Sequence, residues 1–259
     1  MSETVLIENR GGVVILTLNA PSKRNALSTQ MRTALRDRMV ELGLKRECKA
    51  IVLTGAGSQF CAGGDISEMV LASGDPLLAT HRLHILHDVV RAIVRGPKPV
   101  VAAVEGAAAG GGFALAAACD HVVAARDARF GAAFVKLGLV ADCGLQLTLS
   151  NRVGQAQAKR IILGGETVSA ERAAAIGLVD VLADPGSAVD TAVVIASGFA
   201  ELPPLALAAI KTAFARGAAS LEEALSLESD LQARLALTAD HEEAKAAFMA
   251  RRKPTFTGS

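Results

Sequence analysis

A chain of 259 residues that is 51% apolar, with a formal net charge of +1, is neither a disordered segment nor a polycation. Without a strong positive field, and without Trp or Tyr to stack on bases, it is not expected to bind nucleic acid. The length suits one large core, or a core with an appendage. Ala contributes 50 residues and Gly 24, so small side chains dominate whatever that core is.

A mean hydropathy of +0.37 raises the question of a membrane. The longest apolar stretch, Pro99–Cys119, is interrupted by Glu105 and by Gly106, Gly110, Gly111 and Gly112, a poor pattern for a spanning helix. Glu3, Glu8 and Arg10 leave no apolar signal region near the start, so a cytoplasmic protein is expected. Cys48, Cys61, Cys119 and Cys143 show no C-x-x-C spacing and read as free thiols.

In chain order, Val13–Leu18 is rich in β-branched residues and predicts a strand. Ser28 is a candidate N-cap for a helix to about Lys45, with Met31, Leu35, Met39 and Leu42 at helical spacing. Ala50–Thr54 predicts a strand, followed by a glycine-rich loop to Asp65 and a short helix from Ile66. Pro76 opens a helix ending near Gly96, and Val100–Val104 is the next strand. Gly106–Gly112 reads as a second loop, Gly111–Cys119 as a short buried helix, and His121–Ala125 and Ala128–Gly131 as strands. Beyond Gly144 the pattern is helical except near Leu178–Leu182. The fold class expected is α/β with parallel pairing over residues 1–200, followed by a helical segment over residues 201–259. That tail has too few partners within itself and is expected to pack on the core or on another subunit.

Both glycine loops join a strand to a helix: Phe60-Cys61-Ala62-Gly63-Gly64-Asp65-Ile66 and Gly110-Gly111-Gly112-Phe113. Glycine admits close backbone approach and positive φ. Free N–H groups at a helix start can hold an oxygen carrying negative charge. Neither loop has a nucleotide-binding pattern, so loop chemistry alone leaves tight packing and anion binding both open.

With these residues in view, the chain resembles the enoyl-CoA hydratase/isomerase (crotonase) family. The likeness runs through Asn19-Ala20-Pro21, Lys23-Arg24-Asn25-Ala26-Leu27, both glycine loops, Pro97-Lys98-Pro99, Glu105-Gly106 and Cys119-Asp120. It continues in Phe130-Gly131, Leu137-Gly138, Gly177-Leu178-Val179 and Arg251-Arg252-Lys253. The resemblance implies a spiral of ββα units with a C-terminal helical segment that builds trimers, often paired into hexamers. It implies an acyl-CoA thioester substrate, with no cofactor beyond the coenzyme A that the substrate carries. The thioester oxygen would be held by the backbone N–H groups of Gly64 and Gly111. Lys23, Arg24, Ala26 and Leu27 would run beside the coenzyme A, with Ala62, Asp65, Ile66, Phe134 and Gly138 lining the substrate. Lys253 would reach it from a neighbouring subunit.

Family hydratases position water with two glutamates. Here those positions are Ala114 and Phe134, which transfer no proton. Family isomerases carry an Asp in a context like Leu139-Val140-Ala141-Asp142-Cys143-Gly144. Asp142 is therefore either the sole acid/base of an enoyl-CoA isomerase or a cap for the helix that follows it. A hydratase of weak activity, a hydrolase or dehalogenase relative, and a silent CoA-binding protein remain alternatives. Asp65 is expected to brace its loop and Glu68 to lie at the surface. His81, His84 and His87 are expected on a solvated helix face, and Cys61 and Cys143 in packing. Lys136 has no readable direction, and the acyl pocket is expected to depend on Met69–Pro76 and Phe134.

Overall fold

The computed structural model describes residues 3–71 and 74–259, so Ala72 and Ser73 of the Met69–Pro76 stretch lie outside the described residues. The strands are β1 (Val5–Arg10), β2 (Val13–Leu18), β3 (Ala50–Gly55), β4 (Val100–Val104), β5 (Ala107–Ala109), β6 (His121–Ala125), β7 (Arg129–Gly131), β8 (Thr167–Ser169) and β9 (Val181–Ala183). The helices are α1 (Thr29–Leu44), α2 (Ile66–Leu71), α3 (Pro76–Arg95), α4 (Gly111–Ala118), α5 (Leu145–Val153), α6 (Gln155–Gly164), α7 (Ala170–Ala175), α8 (Ala188–Ala200), α9 (Pro204–Arg216), α10 (Leu221–Leu235) and α11 (Ala239–Ala250).

The large sheet has the order β1-β2-β3-β4-β6-β9, and the small one β5-β7-β8. Apart from the antiparallel β1–β2 hairpin, the large sheet is parallel. Alternation along its strands sends side chains to two separate cores. Val13, Ile15, Val52, Val101 and Val123 meet Ala188, Ala192 and Ala196 of α8 on one face. Val14, Leu16 and Leu53 meet Leu35 of α1, Leu86 and Val89 of α3, and α4 on the other. This is why β3 and β4 read as continuous apolar runs. The alanines of α8 recur every four residues and let that helix lie close on the sheet. All eight residues of α4 are buried, which absorbs more of the Ala and Gly excess.

The strand β1 is an addition to the elements expected from sequence. It is an edge strand with five of its six residues exposed, so it lacks a buried run. Its signal is the turn, where Gly11 and Gly12 both have positive φ (63° and 93°), as tight hairpin turns demand. The three-residue strands β5 and β8 were too short to show periodicity.

The C-terminal helices follow the expected pattern, and α9 is tied to the core. Lys211 is 8% exposed, donates to the Ile93 carbonyl at 2.9 Å and pairs with the Asp120 carboxylate. Asp120 also accepts the Val100 N–H at 2.8 Å, so one carboxylate joins α9, β4 and the end of α4. Lys211→Ala leaves that carboxylate unpaired and is expected to cost about 2–3 kcal/mol. Thermal unfolding should show it as a fall in Tm of roughly 5–10 °C. Among the described residues no single helix is long and apolar enough to cross a membrane.

Candidate active site

The two glycine loops are laced together by backbone. The Cys61 N–H donates to the Ala107 carbonyl (3.0 Å), and the Ala109 N–H donates back to the Cys61 carbonyl (2.9 Å), so the first loop pairs with β5. On its other side the Leu27 N–H donates to the Gly63 carbonyl (2.7 Å). The segment before α1 is held in turn by Asn25, which is fully buried. Its Oδ1 accepts the Ala20 N–H, and its Nδ2 donates to the carbonyls of Ala56 and Gln59.

This lacing requires glycine at two positions. Gly63 has φ +89°, and a Cβ there would come 2.7 Å from the Ala109 carbonyl oxygen and 3.3 Å from the Gly111 nitrogen. Gly110 turns the chain from β5 into α4 with φ 51° and ψ −121°. Gly111 is then the first residue of α4, where an N–H has no intrahelical acceptor. Among the described residues, neither Gly64 N–H nor Gly111 N–H donates to a protein acceptor. Leu27 and Leu86 line Gly111, the Met69 methyl lies over Gly64, and the Phe134 ring stands 4.0 Å from a Cβ placed on Gly110. The walls around the two donors are thus apolar apart from Arg32, whose Nη2 lies 3.5 Å from a Cβ placed on Gly64.

Ala114 is fully buried and Phe134 is 6% exposed, so no glutamate stands in for either expected acid. Asp142 is half-buried, and its Oδ1 is sealed from solvent without a hydrogen-bond partner. The capping role weighed for it does not hold. The N-cap of α5 is Gly144, in the left-handed region, and no side chain caps that helix. Cys143, at φ 53°, turns the chain between Asp142 and the helix, so the carboxylate misses the free N–H groups.

Asp65 braces the first loop. It accepts from Lys23 Nζ at 3.0 Å, and from the Ser67 N–H and hydroxyl. The Ser67 hydroxyl first, and then Lys23, hold its carboxyl down at about 2. A folded value below the ordinary one contributes stability above pH ~4, which is lost as the pH falls toward 2. Asp65→Asn should therefore lower the urea midpoint at pH 7 and flatten its decline between pH 4 and 2.

Glu68 is not a surface residue as expected. It accepts the Thr29 N–H (2.9 Å) and Thr29 hydroxyl (2.8 Å) at the start of α1, and it lies 2.8 Å from Arg82 Nη2. A carboxylate there complements the helix start. His81 and His84 are exposed, and His87 is half-buried, its imidazole held below its usual value chiefly by burial and then by Arg91. No group of three metal-ligating side chains occurs among the described residues. Burial pushes the Cys61 thiol up to about 12 and raises Cys143 as well, which suits packing and not nucleophilic attack.

Of the substrate-lining candidates, Ala62 and Asp65 lie on the first laced loop with Gly64, Leu27 is bonded to that loop from the segment before α1, and Phe134 brings its ring to the second loop at Gly110. Lys23, Arg24 and Ala26 lie just before them, with Lys23 and Arg24 exposed, and Ile66 is 65% exposed at the start of α2. Gly138 closes a 3-10 turn over Ala133–Leu137 with φ 70°. The exposed Lys136 lies along Gly165. Lys253 pairs with Glu201 of the same chain at 2.8 Å, with no contact to the site within that chain among the described residues.

Two buried cations were missed. Arg32 and Arg82 are each 6% exposed. Their signal was in the sequence: each is a charged residue on an apolar helical stripe, beside Met31 and Leu35 or beside Leu86 and Val89.

Free backbone N–H groups at Gly64 and at Gly111, the start of the buried α4, suit the holding of an oxygen that carries negative charge. The chain matches the enoyl-CoA hydratase/isomerase family model over residues 8–259 and belongs to that family. It is 36% identical over 263 residues to the 1,2-epoxyphenylacetyl-CoA isomerase of Escherichia coli, covering 100% of both chains. It is 35% identical over 252 residues to the short-chain-enoyl-CoA hydratase of Clostridium acetobutylicum, covering 96% of this chain and 95% of that one. Among solved structures, an enoyl-CoA hydratase from Polaromonas sp. JS666 superimposes with a TM-score of 0.93 at 35% identity, covering 97% of this chain and 99% of that one. The structure neighbours share the crotonase fold expected from the sequence.

Proposed function

We propose that this member of the family moves the double bond of an enoyl-CoA thioester, with Asp142 as the sole acid/base. The observation that carries the reading is the sealed, unpartnered Oδ1 of Asp142 in a site whose two glutamate positions are Ala114 and Phe134. The other nearby carboxylates are committed, Asp65 to Lys23 and Ser67, and Glu68 to Thr29 and Arg82. In the reaction Asp142 takes a proton from C2 of a 3-enoyl thioester. The electron pair spreads onto the thioester oxygen, which the Gly64 and Gly111 N–H groups hold as an enolate. The same proton returns at C4, leaving the 2-enoyl thioester. No water is consumed, and the apolar walls favour its exclusion. One relative is named an isomerase of an acyl-CoA that is an epoxide, and others are named enoyl-CoA hydratases.

The test is a substrate panel of 2-enoyl-, 3-enoyl-, dienoyl- and aryl-CoA thioesters, run with the wild type and Asp142→Asn. Isomerisation that depends on Asp142 is the expected result. Hydration of 2-enoyl-CoA at ordinary enzyme rates, independent of Asp142, overturns the reading. We also propose a homotrimer or a dimer of trimers. Leu237, in the turn between α10 and α11, and Phe248 and Met249 of α11 are each more than 80% exposed, and large exposed apolar side chains of this kind suit an interface. Analytical ultracentrifugation should give a mass of three or six chains, and a monomer would refute it.

A further inference from the structure

Arg32 is the only charged residue among the buried positions of α1. Its Nε donates to the Leu27 carbonyl at 2.8 Å and its Nη1 to the Arg82 carbonyl at 3.1 Å. Both acceptors are neutral. Among the described residues Arg32 forms no ion pair, and its Nη2 makes no hydrogen bond. That Nη2 lies 3.5 Å from where a Cβ on Gly64 would stand, directly beside a proposed oxyanion donor. Arg82 is equally buried, with Nη2 near Glu68 and an Nε that has no partner. The cluster therefore holds two buried cations and one committed carboxylate.

Asp142 also faces Arg32, so the cluster balances at two cations and two carboxylates until Asp142 takes up the substrate proton and loses its charge. A buried cation whose carboxylate has been neutralised is costly unless negative charge arises nearby. Burial and the like charge of Arg82 both pull the Arg32 guanidinium below its ordinary value, while Asp142 and Glu68 act in the opposite sense. The negative charge that arrives during turnover is the enolate oxygen.

We propose that Arg32 is a positioning residue of this site, its buried charge behind Gly64 favouring the oxyanion that the Gly64 and Gly111 N–H groups hold as Asp142 takes up the proton. The inference rests on the enolate of the reading above and adds the charge that lowers its energy. Two backbone dipoles supply direction, and a buried cation supplies field in a medium that screens it weakly. The same field acts on Asp142, which is faced by Arg32 from α1, by His87 from α3 and by Cys143 in its own loop. Arg82 and Glu68 stand behind Arg32 in the same cluster. Adding or removing charge in this cluster therefore changes the field at Asp142.

The test reads enolate formation by itself, as exchange of the C2 hydrogens of butyryl-CoA in heavy water. Arg32→Gln keeps a donor for the neighbouring carbonyls and removes the charge. Its exchange rate should fall at least about tenfold, with butyryl-CoA affinity within about twofold of wild type. The acid limb of its pH–rate profile should move to higher pH, and Arg32→Lys should recover most of the rate. A purely structural Arg32 would move none of the pH profile. Glu68→Gln supplies an independent arm if Arg32→Gln does not fold. It adds net positive charge and should move the acid limb to lower pH. Wild-type exchange in a folded Arg32→Gln protein, or an unmoved acid limb in Glu68→Gln, overturns the role of Arg32 alone. Absence of exchange in the wild type overturns the enolate reading and Arg32 with it.

Discussion

Asp142→Asn is expected to fold normally and to lose isomerase turnover by roughly 10²–10⁴-fold, the range for a positioned general acid/base. Asparagine matches the carboxylate in shape. Asp142 Oδ1 has no hydrogen-bond partner to lose, and no helix depends on it as a cap. The stability cost should therefore be small, which separates this variant from a folding defect. The measurement is conversion of 3-enoyl- to 2-enoyl-CoA alongside the affinity for a saturated acyl-CoA. Turnover should collapse while affinity stays near wild type, because the carboxylate acts on a proton and not on the thioester. Undiminished turnover would remove Asp142 from the mechanism.

The second large effect is expected from Gly111→Pro. Gly111 is the first residue of α4, the helical position where proline is best tolerated because its N–H is unused by the helix. Gly110 precedes it without a Cβ to hinder the ring. The substitution deletes one proposed oxyanion donor and leaves the helix in place. Loss of a single donor of this kind costs roughly 10²–10³-fold in kcat. Gly111→Ala is the control. It keeps the N–H, and its Cβ meets only the Leu27 and Leu86 side chains, at 3.0 and 3.6 Å. A small change in the alanine variant beside a large one in proline identifies the N–H as the active group. Equal losses in both would point to crowding at Leu27 instead.

Most of the architecture was legible because its elements are long or strongly patterned. The strands β2, β4 and β6 stood out as β-branched or alanine-rich runs. Ser28 marked the start of α1, where its hydroxyl accepts the Met31 N–H at 3.2 Å. Pro76 marked the start of α3, capped by Asp75. Elements that depend on partners were not legible. The strand β1 is nearly all exposed and exists because β2 pairs with it. The strand β5 is three alanines that become a strand through β7 and the Cys61 loop.

The site divides in the same way. The two glycine loops are properties of residue identity and spacing that the sequence determined alone, while the missing glutamates at Ala114 and Phe134 and the place of Asp142 were legible through the resemblance to the family. The sequence alone also determined the alanine and glycine excess, which the buried α4 and the α8–sheet contact convert into close packing. Tertiary structure decided which polar groups have partners. It gave Asp65 to Lys23 and Ser67, took Glu68 from the surface to the start of α1, and left Asp142 Oδ1 without any partner. It also set Arg32 behind Gly64 and joined it to Arg82, fifty residues away in the chain. The reason is physical. Periodicity reports which face of a helix is buried, whereas the electrostatic state of a buried group depends on the distance to every other charge, and only the folded chain sets those distances.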